Sequence, residues 1–455
     1  MHSFLGFILA LSFVGVAGAA PVDNTIIKGL PTIAVEDSIA NHAVEKRGFV
    51  KVPWDYERSA RSSLYVFYRW IPSTANATAP TLVFMNGGPG FASSTMRSLD
   101  YDYTAMPSDK LTLILTKFNV VLVDQRGTGY TYPMDQSNLR RISLKKIADN
   151  MNADVLAMDH ARVVNDLIAR DLIDRNNFYV MGHSFGLHIA QSYARLVVER
   201  KIALQPKGMI LSGGQLNDPA WTWIGARPNL EKFSHGLLAY SVQAGREPLD
   251  RLMTRGKAHF GAMGVDPNIV HYAYNFSITG DYEADYEWLL EWVNLKNRDE
   301  VEAFLREYSD VYGALNPVLS IQSLNGGRLA ADLLAIADKY HHLEDWMIDP
   351  LKAFAIDDTY LPKKHRMLRK AVRNGDIRML TPTNGDHFRA FMANTKVMFH
   401  WGNLDLIAGA EVGKQMVVDL LGEEKANEVT FLTSGGHADI RTQEGLNVIQ
   451  TYFGL

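Results

Sequence analysis

Two kinds of hydrophobic pattern alternate along the first half of the chain. Short, almost wholly apolar runs end in glycine-containing turns. Thr81–Met85 (TLVFM) leads into Asn86-Gly87-Gly88-Pro89-Gly90, Asn119–Val123 (NVVLV) into Asp124-Gln125-Arg126-Gly127, and Phe178–Met181 (FYVM) into Gly182-His183-Ser184-Phe185-Gly186. A strand that is apolar on both faces must be covered on both, which predicts the interior of a parallel sheet. Between these runs the period lengthens. Val155, Met158, Val163, Leu167 and Ile168 recur near i+3/i+4 within 153–172, and a second helical stretch follows Gly186 to Val198. Met209–Leu211 closes this half. Upstream, Phe49–Val52 and Leu64–Trp70, rich in Val, Phe, Tyr and Trp, predict an opening antiparallel pair.

Strand and helix in alternation predict a parallel sheet with right-handed crossovers. The alternation stops after Gly213. Residues 214–393 read as mostly helical, and the strand pattern resumes at Lys396–Trp401, followed by helices near Glu411–Leu421 and Gln443–Phe453 with the run Val429–Leu432 between them. One sheet built from 48–213 and 394–455, interrupted by a helical cap over 214–393, accounts for this order. Such a cap would sit above the C-terminal strand edges, where α/β sheets bind ligands.

The chemistry gathers at those same edges. Gly182-His183-Ser184-Phe185-Gly186 fits G-x-S-x-G, in which glycines flank a serine on a strained strand-to-helix turn. The turn lifts the hydroxyl clear of the sheet and leaves the Phe185 amide at a helix N-terminus, facing a developing oxyanion. A run of strand character precedes this motif and a helix follows it, which is the context it needs. The turn after TLVFM supplies the amide of Gly87 or Gly88 as a second oxyanion donor, the plainer reading being a tight turn only. A serine hydroxyl needs a base, and the base an orienting acid. Asp405 in Gly402-Asn403-Leu404-Asp405 and His437 in Ser434-Gly435-Gly436-His437 each follow a late strand, so both can converge on Ser184. His183 lies inside the turn and His400 within a strand, where a packed or hydrogen-bonded core role suits it better. This chemistry calls for no metal and no cofactor.

Together with Val123-Asp124-Gln125-Arg126-Gly127-Thr128-Gly129, these motifs resemble the proline iminopeptidase (prolyl aminopeptidase) family of serine peptidases over about 49–213 and 394–455. The resemblance implies an α/β-hydrolase fold, a mostly parallel sheet with an inserted helical cap, and release of an N-terminal residue, often proline, from peptides. Three positions depart from it: Asn86 stands where the family usually has His, Phe185 where it has Trp, and His183 where Gly is common. The glycine turn also resembles that of serine carboxypeptidases, but their Gly-Glu-Ser-Tyr motif and disulfides are missing from this cysteine-free chain. An esterase or other small-molecule hydrolase on the same core is a third enzymatic reading, because fold does not fix substrate. A hydrolase-fold binding protein would normally have lost one of the three side chains. Family members bind the substrate's ammonium with cap carboxylates. The cluster Asp281, Glu283, Asp285, Glu287 and Glu291, interleaved with Tyr282, Tyr286, Trp288 and Trp292, offers such a site, with Glu283, Glu287 and Glu291 at i, i+4 and i+8. The alternative is a solvated acidic helix face.

Composition adds bounds. At 455 residues, with 47% apolar and 21% charged residues and a net charge of −4, the chain offers no basic surface for nucleic acid or anionic membrane. The partners expected are a peptide or a small-molecule substrate; oligomeric state leaves no mark in the sequence. Residues 1–20 read as a signal peptide: Phe4–Val16 is apolar but shorter than the roughly 20 residues a span needs, and Ala17-Gly18-Ala19-Ala20 precedes Pro21. Secretion is therefore expected, or retention in a vacuole or other lumen, with sequons at Asn76 and Asn275 as glycosylation sites. Residues 21–47 end in Glu45-Lys46-Arg47 and read either as a propeptide cut after the dibasic pair or as an N-terminal extension carrying a solvated pair.

Overall fold

The computed structural model describes residues 35–455 except 40–42, 58–61, 77, 88–92, 94–112, 133–142, 144–145, 147–148, 215, 217–219, 274–281, 302, 304–337, 340, 350–351, 353–373, 375–380, 404, 406–407 and 438. Its centre is a nine-stranded sheet. In chain order the strands are β1 (Val35–Ile39), β2 (Ala43–Pro53), β3 (Ser63–Ile71), β4 (Thr81–Met85), β5 (Asn119–Val123), β6 (Phe178–His183), β7 (Gly208–Ser212), β8 (Lys396–Gly402) and β9 (Thr430–Thr433). Across the sheet they run β1-β2-β3-β5-β4-β6-β7-β8-β9. The pairs β1–β2, β2–β3 and β3–β5 are antiparallel and the rest parallel.

Side-chain alternation explains the almost wholly apolar runs. Val83, Met85, Val121, Val123 and Val180 point to one face and join a core with helices α1 (Ala153–Ala169) and α2 (Gly186–Val198). Leu82, Phe84, Val120, Leu122 and Met181 point to the other, where they meet Phe118, Ile440, Ile449 and Phe453. Every residue of β4 and β5 is buried because both faces are covered. Asn152 caps α1 by accepting from the Val155 N–H at 3.1 Å.

Between β7 and β8 lie α3 (Ala220–Gln243), α4 (Leu249–Ala262), a 3-10 segment (Pro267–Ala273), α5 (Tyr282–Val293) and α6 (Gly385–Met392). The first four share a separate apolar core, including Leu230, Leu252, Phe260, Ile269, Tyr286 and Trp292. After β8 come α7 (Ala410–Leu421), α8 (Glu423–Val429) and, beyond β9, α9 (Gln443–Phe453). Val429, expected to open the last strand, instead ends α8.

The N-terminal reading needs correction. Residues 1–34 lie outside the described residues, but Lys46-Arg47 does not sit in a solvated loop. It lies within β2, where Lys46 pairs with Trp70 and Arg47 with Arg69 across β3. Glu45 beside it is buried and accepts from Arg69 Nη2 at 2.9 Å. Burial pushes the Glu45 carboxyl up, but Arg69 and Arg47 overrule this and hold it below the ordinary carboxylate range. A protease needs its target as a free extended strand, and this one is already paired on both edges.

Candidate active site

Ser184 follows β6 directly and has φ = 57°, a left-handed backbone unusual for a side chain with a Cβ. Its flanking glycines are there for space. A Cβ on Gly186 would collide with the Met85 carbonyl oxygen, and one on Gly182 with the backbone of Gly186. The turn is therefore pressed between the end of β4 and the first turn of α2. Phe185 is the N-cap of α2, and its N–H has no acceptor among the described residues.

Three further glycines let the loops converge. A Cβ on Gly87 would stand 2.9 Å from Ser184 Cβ and 3.3 Å from its Oγ, so the turn after β4 passes directly beside the hydroxyl. Gly213, with φ = 62°, bends the chain away after β7, and a Cβ there would lie 3.0 Å from the His437 carbonyl oxygen and 3.1 Å from His183 Cε1. A Cβ on Gly402 would strike the carbonyls of Gly435 and Gly436. Only a bare backbone at the end of β8 lets the His437 loop close over it, and Asn403 N–H donates to Thr433 O at 2.9 Å to hold that closure.

Asp405 and His437 meet there. His437 Nδ1 lies 2.9 Å from Asp405 Oδ2. Asp405 is fully buried, and its Oδ1 accepts from the Ala408 N–H at 2.8 Å. Asn229 of α3 donates to the Asp405 carbonyl at 2.6 Å, tying the helical insertion to this loop. Hydrogen bonds on both carboxylate oxygens fix the acid's plane and so the ring it faces.

Two other histidines border the site. The His183 ring lies 4.8 Å from that of His437, centroid to centroid. Burial, reinforced by His437, Arg441 and His400 nearby, pushes His183 well below its ordinary value, so it stays neutral. His400 is held in the core, Nδ1 3.1 Å from Ser212 Oγ and Nε2 2.8 Å from Thr433 Oγ1. One turn beyond Ser184, burial pushes His188 down to about 4. In the unfolded chain a histidine protonates near pH 6.5. The folded form loses stability as pH falls from there toward about 4, by up to about 3 kcal/mol through His188, and gains nothing from this group above pH 6.5. His188→Gln should therefore flatten part of the acid-side fall in Tm between pH 7 and 4, as read by calorimetry. Parallel wild-type and variant curves would contradict this.

The oxyanion candidates fare unevenly. The Gly87 N–H donates at 2.8 Å to Asn86 Oδ1, so in this structure it is occupied by its neighbour's side chain. Gly88 and Asn275 lie outside the described residues. Asn76 is exposed, and its Oδ1 accepts from both the N–H and the hydroxyl of Thr78 at 2.9 Å.

The acidic row on α5 forms as a helix and lies on its face away from the insertion's core. Glu283 and Glu291 are exposed, while Glu287 is paired with Arg246. The inward face carries Tyr286, Leu289, Trp292 and Val293 into the insertion's own core, where the Tyr286 hydroxyl donates to the Glu247 carbonyl at 2.7 Å. Tyr286 and Trp292 are thus used in packing the insertion, whereas Tyr282 is exposed. Among the described residues, no group of three or more His, Asp or Glu is placed to hold a metal, and no helix is long and apolar enough to cross a membrane.

Residues 80–228 match a family model described as the alpha/beta hydrolase fold. The chain is 25% identical to Serine carboxypeptidase-like 49 of Arabidopsis thaliana over 217 residues, 43% of this chain and 36% of the relative. It is 25% identical to Proline iminopeptidase of Aeromonas sobria over 154 residues, 32% of this chain and 33% of that protein. The chain spans about a third of the length of the curated relatives it matches. Among solved structures, Candida antarctica lipase A in its closed state aligns over 93% of this chain and 82% of its own, with 10% identity and a TM-score of 0.38. The strand order, with its parallel centre and antiparallel edge, and the matched segment through β4–β7 agree: the chain has the α/β-hydrolase fold.

Proposed function

We propose that this chain is a serine hydrolase that cleaves acyl bonds at the ends of peptides through a covalent intermediate on Ser184. One observation carries the reading. A serine in left-handed backbone stands at the sheet edge where an Asp405–His437 hydrogen bond of 2.9 Å also forms, and Gly213 adjoins both loops. Ser184 Oγ attacks the substrate carbonyl carbon while its proton passes to His437 Nε2. The tetrahedral intermediate places its oxyanion on the Phe185 N–H and, once Asn86 Oδ1 turns aside, on that of Gly87. His437 then gives the proton to the leaving group, the acyl–Ser184 ester remains, and water reverses the sequence to free the acid. Asp405 accepts the His437 Nδ1–H throughout, holding the tautomer and stabilising the imidazolium.

The motif run Asn86–Gly90, Asp124–Gly129 and Gly182–Gly186 favours an aminopeptidase that releases N-terminal proline or a similar residue. The carboxypeptidase-like relatives favour the opposite end of the peptide. Chromogenic aminoacyl substrates and their N-acetylated counterparts separate the two. Acetylation should cut kcat/KM by at least about 100-fold, or 2.7 kcal/mol, if an ammonium is recognised. Equal rates with and without the acetyl group would reject the aminopeptidase reading.

Secretion is part of the same proposal. N-terminal sequencing of material from the native host should find a start just after Ala19 or Ala20, with β2 intact, and glycosidase treatment should remove a glycan that Asn76→Gln also abolishes. Cytosolic protein retaining Met1 would overturn this.

A further inference from the structure

We infer that Gln125 is a positioning residue for the oxyanion turn. The inference rests on Ser184 being the nucleophile. Gln125 is almost wholly buried at the end of β5, and its Nε2 donates to Asn86 O at 2.8 Å and reaches Gly87 O at 3.5 Å. In a trans peptide the C=O and the following N–H are fixed in opposite directions. A donor on Asn86 O therefore sets where the Gly87 N–H points, and Gly87 is the residue that passes beside Ser184 Oγ. On its other side the same turn is pressed by Gly186, so the Asn86–Gly87 peptide is held between Gln125 and the nucleophile's own turn.

The platform behind Gln125 is unusually firm. Arg126 is completely buried, with Nε donating to Asp159 Oδ2 at 2.6 Å, Nη2 to Asp159 Oδ1 at 2.8 Å and to Pro53 O at 2.7 Å, and Nη1 to Trp54 O at 2.5 Å. Thr128 donates through both its N–H and its hydroxyl to Gln125 O, at 3.0 and 2.8 Å. The loop after β5 is thus locked to β2 and α1, and the Gln125 amide reaches from it to the turn after β4.

The other end of that amide points to a role beyond packing. Among the described residues, Gln125 Oε1 is buried with no donor. An unsatisfied buried acceptor costs roughly 1–3 kcal/mol, so a residue kept only for stability would do better as an apolar side chain of the same length. The donor end is what a hydrolase needs here.

Gln125→Met keeps the volume and removes the donor, while Gln125→Glu keeps the shape and sets a carboxylate against two carbonyls. Loss of one oxyanion donor costs about 100- to 1,000-fold in kcat; a donor misdirected but retained should cost about 10- to 100-fold. Gln125→Met should therefore lower kcat by that factor with KM within about threefold and Tm nearly unchanged. Its affinity for a boronate transition-state mimic should fall in step with kcat/KM, while a ground-state amide substrate analogue binds as before. Gln125→Glu should lose more. A structural role would instead lower Tm and weaken both ligands together, and that result, or a Gln125→Met kcat within twofold of wild type, overturns the inference. Ser184→Ala separates the two levels. If it keeps near-normal turnover, the nucleophile assignment fails; if it is inactive while Gln125→Met is not impaired, only the positioning role fails.

Discussion

Ser184→Ala should lower kcat by on the order of 10⁴-fold or more, with a residue of activity left by binding and the oxyanion donors. The expectation follows from the division of labour at the sheet edge. Remove Oγ and His437 has no proton to take, yet nothing else in the turn moves, because Gly182, Gly186 and Gly87 continue to set its path. The same assignment predicts the covalent adduct: an organophosphonate should label Ser184, as mapped by mass spectrometry of the digested protein. Labelling at a different serine, or an alanine variant that turns over normally, would end the assignment.

Asp405→Asn should be the second most damaging single change, costing about 10⁴-fold in kcat/KM at neutral pH. The replacement keeps the size, and one amide oxygen can still accept from the Ala408 N–H as Oδ1 does now. The amide nitrogen then faces His437 Nδ1, where Oδ2 now lies 2.9 Å away, and donates where it should accept. The ring is driven to the tautomer that carries its proton on Nε2, the atom that must receive the Ser184 proton. Asp405 is fully buried, so water offers little substitute. A variant with unchanged kcat/KM would mean that a different acid orients His437.

How much of this was legible from the residues depends on whether a local signal or a tertiary contact decided the matter. The interior strands declared themselves because two-sided burial leaves little room for polar positions, and TLVFM and NVVLV are apolar throughout after their opening Thr81 and Asn119. The G-x-S-x-G turn was legible because its glycines answer steric demands from adjacent elements. The start of the sheet was missed for the opposite reason. β2 begins Ala43-Val44-Glu45-Lys46-Arg47, which looks like a solvated charged stretch, and Arg69 on the neighbouring strand, with Arg47, makes a buried Glu45 tenable. On α5 the helix was legible but its orientation was not. The i, i+4, i+8 carboxylates define a face, and packing of Tyr286, Leu289 and Trp292 against α3 and α4 decides that this face looks outward. Gln125 stood in a recognised motif with no role attached, since its role depends on how the loop after β5 meets the turn after β4.

The left-handed backbone at Ser184 sets activity and stability at odds at a single position. An L-residue there carries a strain of about 1–2 kcal/mol that glycine would not. Ser184→Gly should thus melt higher than the wild type while doing no chemistry. A lineage released from the need for hydrolysis has a downhill path at this codon, and a duplicate gene that drifted would be expected to shed the serine early and become sturdier as it did so.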